Sequence, residues 1–223
     1  MIEISAIIVA GGSGKRMGTS TPKQFLPLGD WCILMHSIQA FAQHSAVKDI
    51  VCVLPHSEID AWQLLCTKHN FSTPHTVVTG GKERFHSVLN GLNAAQSSHV
   101  AIHDGVRPFV SQSTLNNCFK TLKVYPAVVP VINSKESVRL IEEKTNKALK
   151  REDVRLAQTP QCFEKKSLLK AFDVGYHTFF TDDASVFEHH GGEITLVEGN
   201  EENIKITTPM DLAIAQNILL PKL

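Results

Sequence analysis

Ala10-Gly11-Gly12-Ser13-Gly14-Lys15-Arg16-Met17-Gly18 follows directly on an apolar run, and Lys23 stands seven residues beyond Arg16. Glycines at the end of a buried strand let backbone N–H groups come close to phosphate oxygens. Arg16 offers a planar fork that matches phosphate geometry, and Lys23 adds a point charge on a chain stiffened by Pro22. Two cations and a set of amides are what a triphosphate, with its several negative charges, requires. The segment is not a Walker loop, because Gly14-Lys15 is followed by Arg16 and not by Ser or Thr. Nor is it the dinucleotide fingerprint, since the glycine spacing differs and no helix begins at once.

Further along, Asp104-Gly105-Val106-Arg107-Pro108 sits where another apolar run stops. A carboxylate at a strand end can hold Mg²⁺ bound to phosphates, or it can simply close a turn. Arg107 reads either as a surface arginine or as a phosphate ligand that also orients Asp104. Thr181-Asp182-Asp183-Ala184-Ser185 reads as an N-cap followed by acidic first-turn residues, which explains the paired carboxylates without a metal. Lys205, between Ile204 and Ile206, points to a cleft or to water. His99 and His103 have H-x-x-x-H spacing, but on a strand they lie roughly 13 Å apart, too far to share a metal.

The elements that must position these residues alternate. Ala6–Ala10, Asp49–Leu54, His75–Val78, His99–His103 and Ala127–Val131 read as strands. Ile33–Gln43, a helix capped by Ser57 and running to about Lys68, Arg84–Ala95 and Thr114–Leu122 read as helices. Asn203–Thr207 reads as a further short strand. Alternation of this kind predicts a single Rossmann-like α/β domain over residues 1–223, a mostly parallel twisted sheet with helices on both faces. Ligands of such sheets bind outside the carboxyl ends of the strands, where the glycines, Gly80-Gly81, Asp104 and Arg107 gather. One insertion, about residues 133–155, breaks the alternation. Ser137–Ile141 and Ala148–Lys150 flank a turn at Glu142–Asn146 and read as a β-hairpin arm. A lone hairpin is marginal in water, so the expectation is a homodimer with exchanged arms.

Composition excludes other classes. The chain has 223 residues, 43% of them hydrophobic, with 22 basic and 22 acidic side chains. No basic excess supports a nucleic-acid track, and no run approaches the roughly 20 apolar residues of a membrane span. The five cysteines are scattered, without a C-x-x-C pair, as expected of reduced thiols in a cytoplasmic protein. No Ser-His-Asp or Cys-His array stands out.

Taken in order, A-G-G-S-G-K-R-M-G, P-K-Q-F at 22–25, G-G-K-E-R at 80–84, H-D-G-V-R-P-F at 103–109, Q-T-P-Q-C-F at 158–163, T-D-D-A-S at 181–185 and V-E-G-N-E-E-N-I-K-I-T-T-P-M-D-L at 197–212 resemble the cytidylyltransferases of the isoprenoid pathway over nearly the whole chain. The resemblance implies that a phosphate oxygen of methylerythritol phosphate attacks the α-phosphorus of CTP. It implies that Arg16 and Lys23 stabilise the transition state, and that Arg151, reaching from a partner's arm, and Lys205 position the attacking phosphate. Ala10, Gly11, Gly12, Gly81 and Ser87 are implied to line the cytidine, with Lys82 beside it at a position where the family often has an acidic residue. Asp104 is implied to serve the nucleotide and Mg²⁺; Arg107, Thr181 and the partner's Ser137 are implied to contact methylerythritol phosphate. At Gly105 the family often has alanine, and Glu136-Ser137-Val138-Arg139 replaces its Asp-Thr-x-Lys. A ribitol 5-phosphate cytidylyltransferase shares most of these motifs. A nucleotide-sensing module without catalysis is the alternative of another class.

Overall fold

The computed structural model describes residues 2–12, 21–143 and 145–220. Along the chain run β1 (Ile4–Val9), β2 (Pro27–Leu28), β3 (Trp31–Cys32), α1 (Ile33–Ala42), β4 (Val47–Leu54), α2 (Ile59–Lys68), β5 (Thr76–Thr79), α3 (Arg84–Ala94), β6 (His99–Asp104), α4 (Gln112–Thr121) and β7 (Ala127–Asn133). The second half adds β8 (Arg139–Glu142), β9 (Thr145–Ala148), β10 (Arg155–Ala157), β11 (Gln161–Glu164), α5 (Lys165–Phe172), α6 (Asp183–His189), β12 (Thr195–Glu198) and α7 (Pro209–Leu219).

The main sheet has the order β10-β7-β11-β6-β1-β4-β5, with β12 alongside β7. β6, β1, β4 and β5 run parallel, whereas β11 and β10 enter antiparallel. Strand alternation sorts the core into two layers. Ile4, Ala6 and Ile8 face one side with Ile38, Phe41, Trp62 and Leu115, from α1, α2 and α4. Ile7, Val51, Val53 and Ile102 face the other, with Val88, Leu92, Leu168, Phe172 and Phe187 from α3, α5 and α6. The central strands are therefore apolar on both faces, as a parallel sheet between helices requires.

Several expectations shift. His56–Glu58 forms a 3₁₀ turn and α2 starts at Ile59, so Ser57 caps nothing; Pro55 tightens the entry. Asp182, not Thr181, caps α6, in a reciprocal box with Ser185. Residues 203–207 form no strand: Ile206 donates one backbone bond to Val106 (3.0 Å) and packs under α7 with Leu28 and Ala215. The parallel strand of this region is β12 instead. The arm is a hairpin of β8 and β9, paired from Arg139↔Ala148 to Glu142↔Thr145, a few residues from the expected register. Its side chains are exposed, Ile141 at 68%, and among the described residues no other strand pairs with it.

Candidate active site

The ends of four strands, β1, β4, β5 and β6, are tied together by backbone bonds. Ala10 N–H donates to Val53 O (2.9 Å), Gly80 N–H to Leu54 O (2.7 Å) and Gly105 N–H to Val9 O (2.8 Å). Gly105 lies so close to β1 that an added Cβ would stand 2.8 Å from the Cβ of Ala10 and 2.9 Å from Leu34 Cδ1, which accounts for glycine in place of alanine. The buried Gln24 amide reaches back from the Lys23–Phe25 turn, its Nε2 donating to Ala10 O (2.8 Å) and to Glu58. Lys23 is thereby seated beside Gly12.

Between these loops lies a cavity of about 290 Å³. Its lining includes Ala10, Gly11, Gly12, Lys23, Gly81, Lys82, Ser87, Asp104 and Lys205. Ser87 Oγ accepts from Gly81 N–H (3.1 Å), closing the loop over the start of α3. A second cavity, about 240 Å³, is lined by Arg107, Gln158, Thr159, Gln161 and Thr181. Arg84, Asp104 and Lys205 line both. The structure thus brings together nearly all the predicted residues, in two adjoining compartments. Ser137 and Arg151 are exposed in or beside the arm and line neither; Arg151 only approaches Lys135 O, at 3.4 Å. Arg16 lies outside the described residues.

At the boundary stands Asp104. Lys205 Nζ is 3.0 Å and Arg107 Nε 3.3 Å from its Oδ2, and Arg84 Nε is 3.8 Å from its Oδ1. Burial alone raises a carboxyl pKa, but Arg84, Lys205 and Arg107 outweigh it and hold Asp104 well below the usual carboxylate range. Asp104 is therefore ionised at any physiological pH. Lys205 remains 44% exposed and can turn from Asp104 to an incoming phosphate.

The loop carrying Asp104 and Arg107 is held from beneath. Asp104 N–H donates to Thr159 Oγ (3.1 Å), and because Arg107 O beside His103 Nε2 can only accept, the Thr159 hydroxyl donates to His103 Nδ1 (3.0 Å). That leaves the proton of His103 on Nε2, which donates to Arg107 O (2.9 Å). Burial pushes the His103 pKa down to about 4, so the neutral tautomer this chain of bonds needs is the stable one. His103 is thus a structural histidine. Arg107 also donates to Asn203 O (2.7 Å), and Asn203 to Thr159 O (2.8 Å), tying the Lys205 segment to the same loop.

Arg84 was not among the expected site residues, although it closes the G-G-K-E-R motif. It makes two bonds to Asp183, 2.9 and 2.7 Å, and its partners lie far off in sequence. Only a paired-acid motif near a helix start hinted at them.

Of the acidic residues at the cavities, Glu83 lines the larger, Asp182 lines the smaller and caps α6, and Asp104 lines both; among the described residues no three His, Cys, Asp or Glu side chains converge as a metal cage. An ionised oxygen donor shared by two cavities suits Mg²⁺, which takes one or two carboxylates and completes its shell with substrate phosphates and water.

The family model for 2-C-methyl-D-erythritol 4-phosphate cytidylyltransferase matches residues 4–220. A protein of that name from Bacteroides fragilis is 48% identical over 96% of this chain and 99% of its own; one from Bacteroides thetaiotaomicron is 46% identical over the same shares. Among solved structures, a 4-diphosphocytidyl-2C-methyl-D-erythritol synthase from Anaerococcus prevotii superposes with a TM-score of 0.85 at 29% identity, covering 98% of each chain. A 2-C-methyl-D-erythritol 4-phosphate cytidylyltransferase from Thermus thermophilus gives 0.77 at 28%, covering 97% of this chain and 98% of its own.

Proposed function

Because the chain belongs to the 2-C-methyl-D-erythritol 4-phosphate cytidylyltransferase family, we propose that it transfers CMP from CTP to 2-C-methyl-D-erythritol 4-phosphate in the non-mevalonate isoprenoid pathway. The products are 4-diphosphocytidyl-2-C-methyl-D-erythritol and pyrophosphate. The observation that supports this reading is the junction: two cavities share Asp104, Arg84 and Lys205. An α-phosphate held in one would lie next to an acceptor phosphate held in the other.

CTP occupies the larger cavity, its base and ribose along Ala10, Gly11, Gly12, Gly81, Lys82 and Ser87. The acceptor occupies the smaller one, its polar groups toward Arg107 and Thr181. A phosphate oxygen of the acceptor attacks the α-phosphorus; the new O–P bond forms as the bond to the bridging oxygen of pyrophosphate breaks. Lys205 leaves Asp104 to hold the attacking phosphate. Lys23, with Arg16, meets the charge that builds on the α-phosphate and leaving group. Positioning and charge stabilisation suffice for such a transfer, without a covalent nucleophile. Asp104 is the residue that holds Mg²⁺, which when bound neutralises charge on the triphosphate.

The partner's Arg151 and Ser137 complete the acceptor compartment in a homodimer with exchanged arms. The apolar side chains of the exposed hairpin, Leu140 and Ile141, support that arrangement. Free cysteines, four of them buried, suit a cytoplasmic setting, and among the described residues no helix is long and apolar enough to cross a membrane. A sensor without catalysis has no need to keep Lys23, Asp104 and Lys205 together. Incubation with CTP and either methylerythritol phosphate or ribitol 5-phosphate, followed by pyrophosphate release, tests the reading. Release is expected with the former; turnover of ribitol 5-phosphate alone rejects it.

A further inference from the structure

The proposed reaction uses neither carboxylate of the Thr181–Ser185 stretch; Asp182 caps α6, which leaves Asp183. Its side chain is 1% exposed and accepts from both terminal nitrogens of Arg84, at 2.9 and 2.7 Å. It opens α6, and the cap before it is itself fixed: Gln161 Nε2 donates to Asp182 (2.7 Å) and Gln161 Oε1 accepts from Ala184 N–H (2.9 Å). Asp183 is therefore a fixed anchor for a flexible arginine. On the other side of Arg84, Nε stops 3.8 Å from Asp104 Oδ1, beyond hydrogen-bond length. Oδ2 of Asp104 is engaged by Lys205 and Arg107, while the described residues give Oδ1 no hydrogen bond. A guanidinium prefers two parallel bonds to one carboxylate. Without Asp183, the nearest carboxylate able to supply them is Asp104.

From these contacts we infer that Asp183 is a positioning residue that holds Arg84 off Asp104, and so keeps Asp104 Oδ1 open for the divalent cation that accompanies the triphosphate. The inference rests on the assignment of that cation to Asp104 in the proposed function. Asp183 never touches the cation; it acts by occupying the arginine that competes for the ligand.

The test is Mn²⁺ titrated into the full-length protein with CTP and no acceptor, so that nothing turns over, with free Mn²⁺ followed by electron paramagnetic resonance against CTP alone. Asp183→Asn is expected to weaken protein-dependent Mn²⁺ binding about tenfold, the usual cost of losing a group that supports a metal ligand. Arg84→Met/Asp183→Asn, which removes the competitor as well, is expected to return to within about threefold of the parent. If the pair merely ties α3 to α6, the double variant binds no better than Asp183→Asn, and the inference fails. Equal Mn²⁺ affinity in Asp183→Asn and the parent also overturns it. Should Asp183→Asn not fold, Arg84→Met decides alone: undiminished Mn²⁺ binding supports the inference, and a tenfold loss contradicts it. A parent that binds no Mn²⁺ beyond that held by CTP removes the assignment to Asp104, and the inference with it.

Discussion

Lys205 and Asp104 form an ion pair that, in the proposed reaction, the acceptor phosphate must break. Lys205→Ala leaves Asp104 with Arg107 and Arg84, so the loop stays charged and folded, yet the acceptor phosphate loses its mobile cation. We expect turnover to fall roughly 10²-fold or more, as for other groups that meet charge developing in a transition state, with the melting temperature nearly unchanged. The same loss is expected of Lys23→Ala; wild-type pyrophosphate release from either variant contradicts that lysine's role in the transfer. Gly81 is constrained differently. A Cβ there would lie 2.3 Å from His86 Cβ and 3.0 Å from its carbonyl carbon, so the backbone at the start of α3 has to move. Gly81→Ala is expected to cost about 1–3 kcal/mol of stability, as overpacking does, and to weaken CTP binding measured by calorimetry. Alanine at 81 with parental stability and CTP affinity would show that this approach is not needed.

At the scale of elements, the residues that revealed themselves in sequence did so through their neighbours along the chain. β1, β4 and β6 each carry an apolar run buried on both faces, and their ends follow from Ala10-Gly11, Pro55 and Asp104-Gly105. Residues 203–207 misled because Ile204-Lys205-Ile206 has strand-like alternation; Ile206 instead serves as a plug beneath α7, a role decided by α7 and β2 and invisible locally. Arg84 was missed for the same reason, since its value lies in Asp183 and Asp104, brought to it only by the sheet. His36, on α1, is pushed below its ordinary pKa by burial, with its Nε2 2.7 Å from Leu28 O. The unfolded chain takes up a proton near pH 6.5 that the folded His36 resists, so its contribution is complete above about 6.5 and is lost as pH falls below that value. His103 has the same sign, extending the window to about 4. Urea midpoints should fall between pH 7.5 and pH 5, and less steeply in His36→Gln; parallel slopes would exclude His36 as a contributor.

For the whole molecule, the arm is the feature that one chain does not explain. Arg151 and Ser137 stand away from both cavities of their own subunit, and the hairpin exposes Leu140 and Ile141. If arms are exchanged, each site draws Lys23 from one chain and Arg151 from the other. Lys23→Ala and Arg151→Ala proteins, each nearly inactive, should then complement when mixed and allowed to exchange. Random pairing makes about half of the dimers mixed, each with one intact site, so about a quarter of parental activity should return. No recovery after exchange, verified by mass, would place Arg151 in its own subunit's site or outside catalysis.

In the proposed reaction CMP passes directly from CTP to an alcohol phosphate across the Asp104 junction, with no stop on the protein. A single turnover of α-³²P-labelled CTP with methylerythritol phosphate and excess protein, quenched and resolved by chromatography, isolates that step. All of the label is expected in the cytidine diphosphate alcohol, with none on the protein at any time and one pyrophosphate released per label transferred. Label retained in CTP, or held on the protein before it reaches the acceptor, would contradict direct transfer.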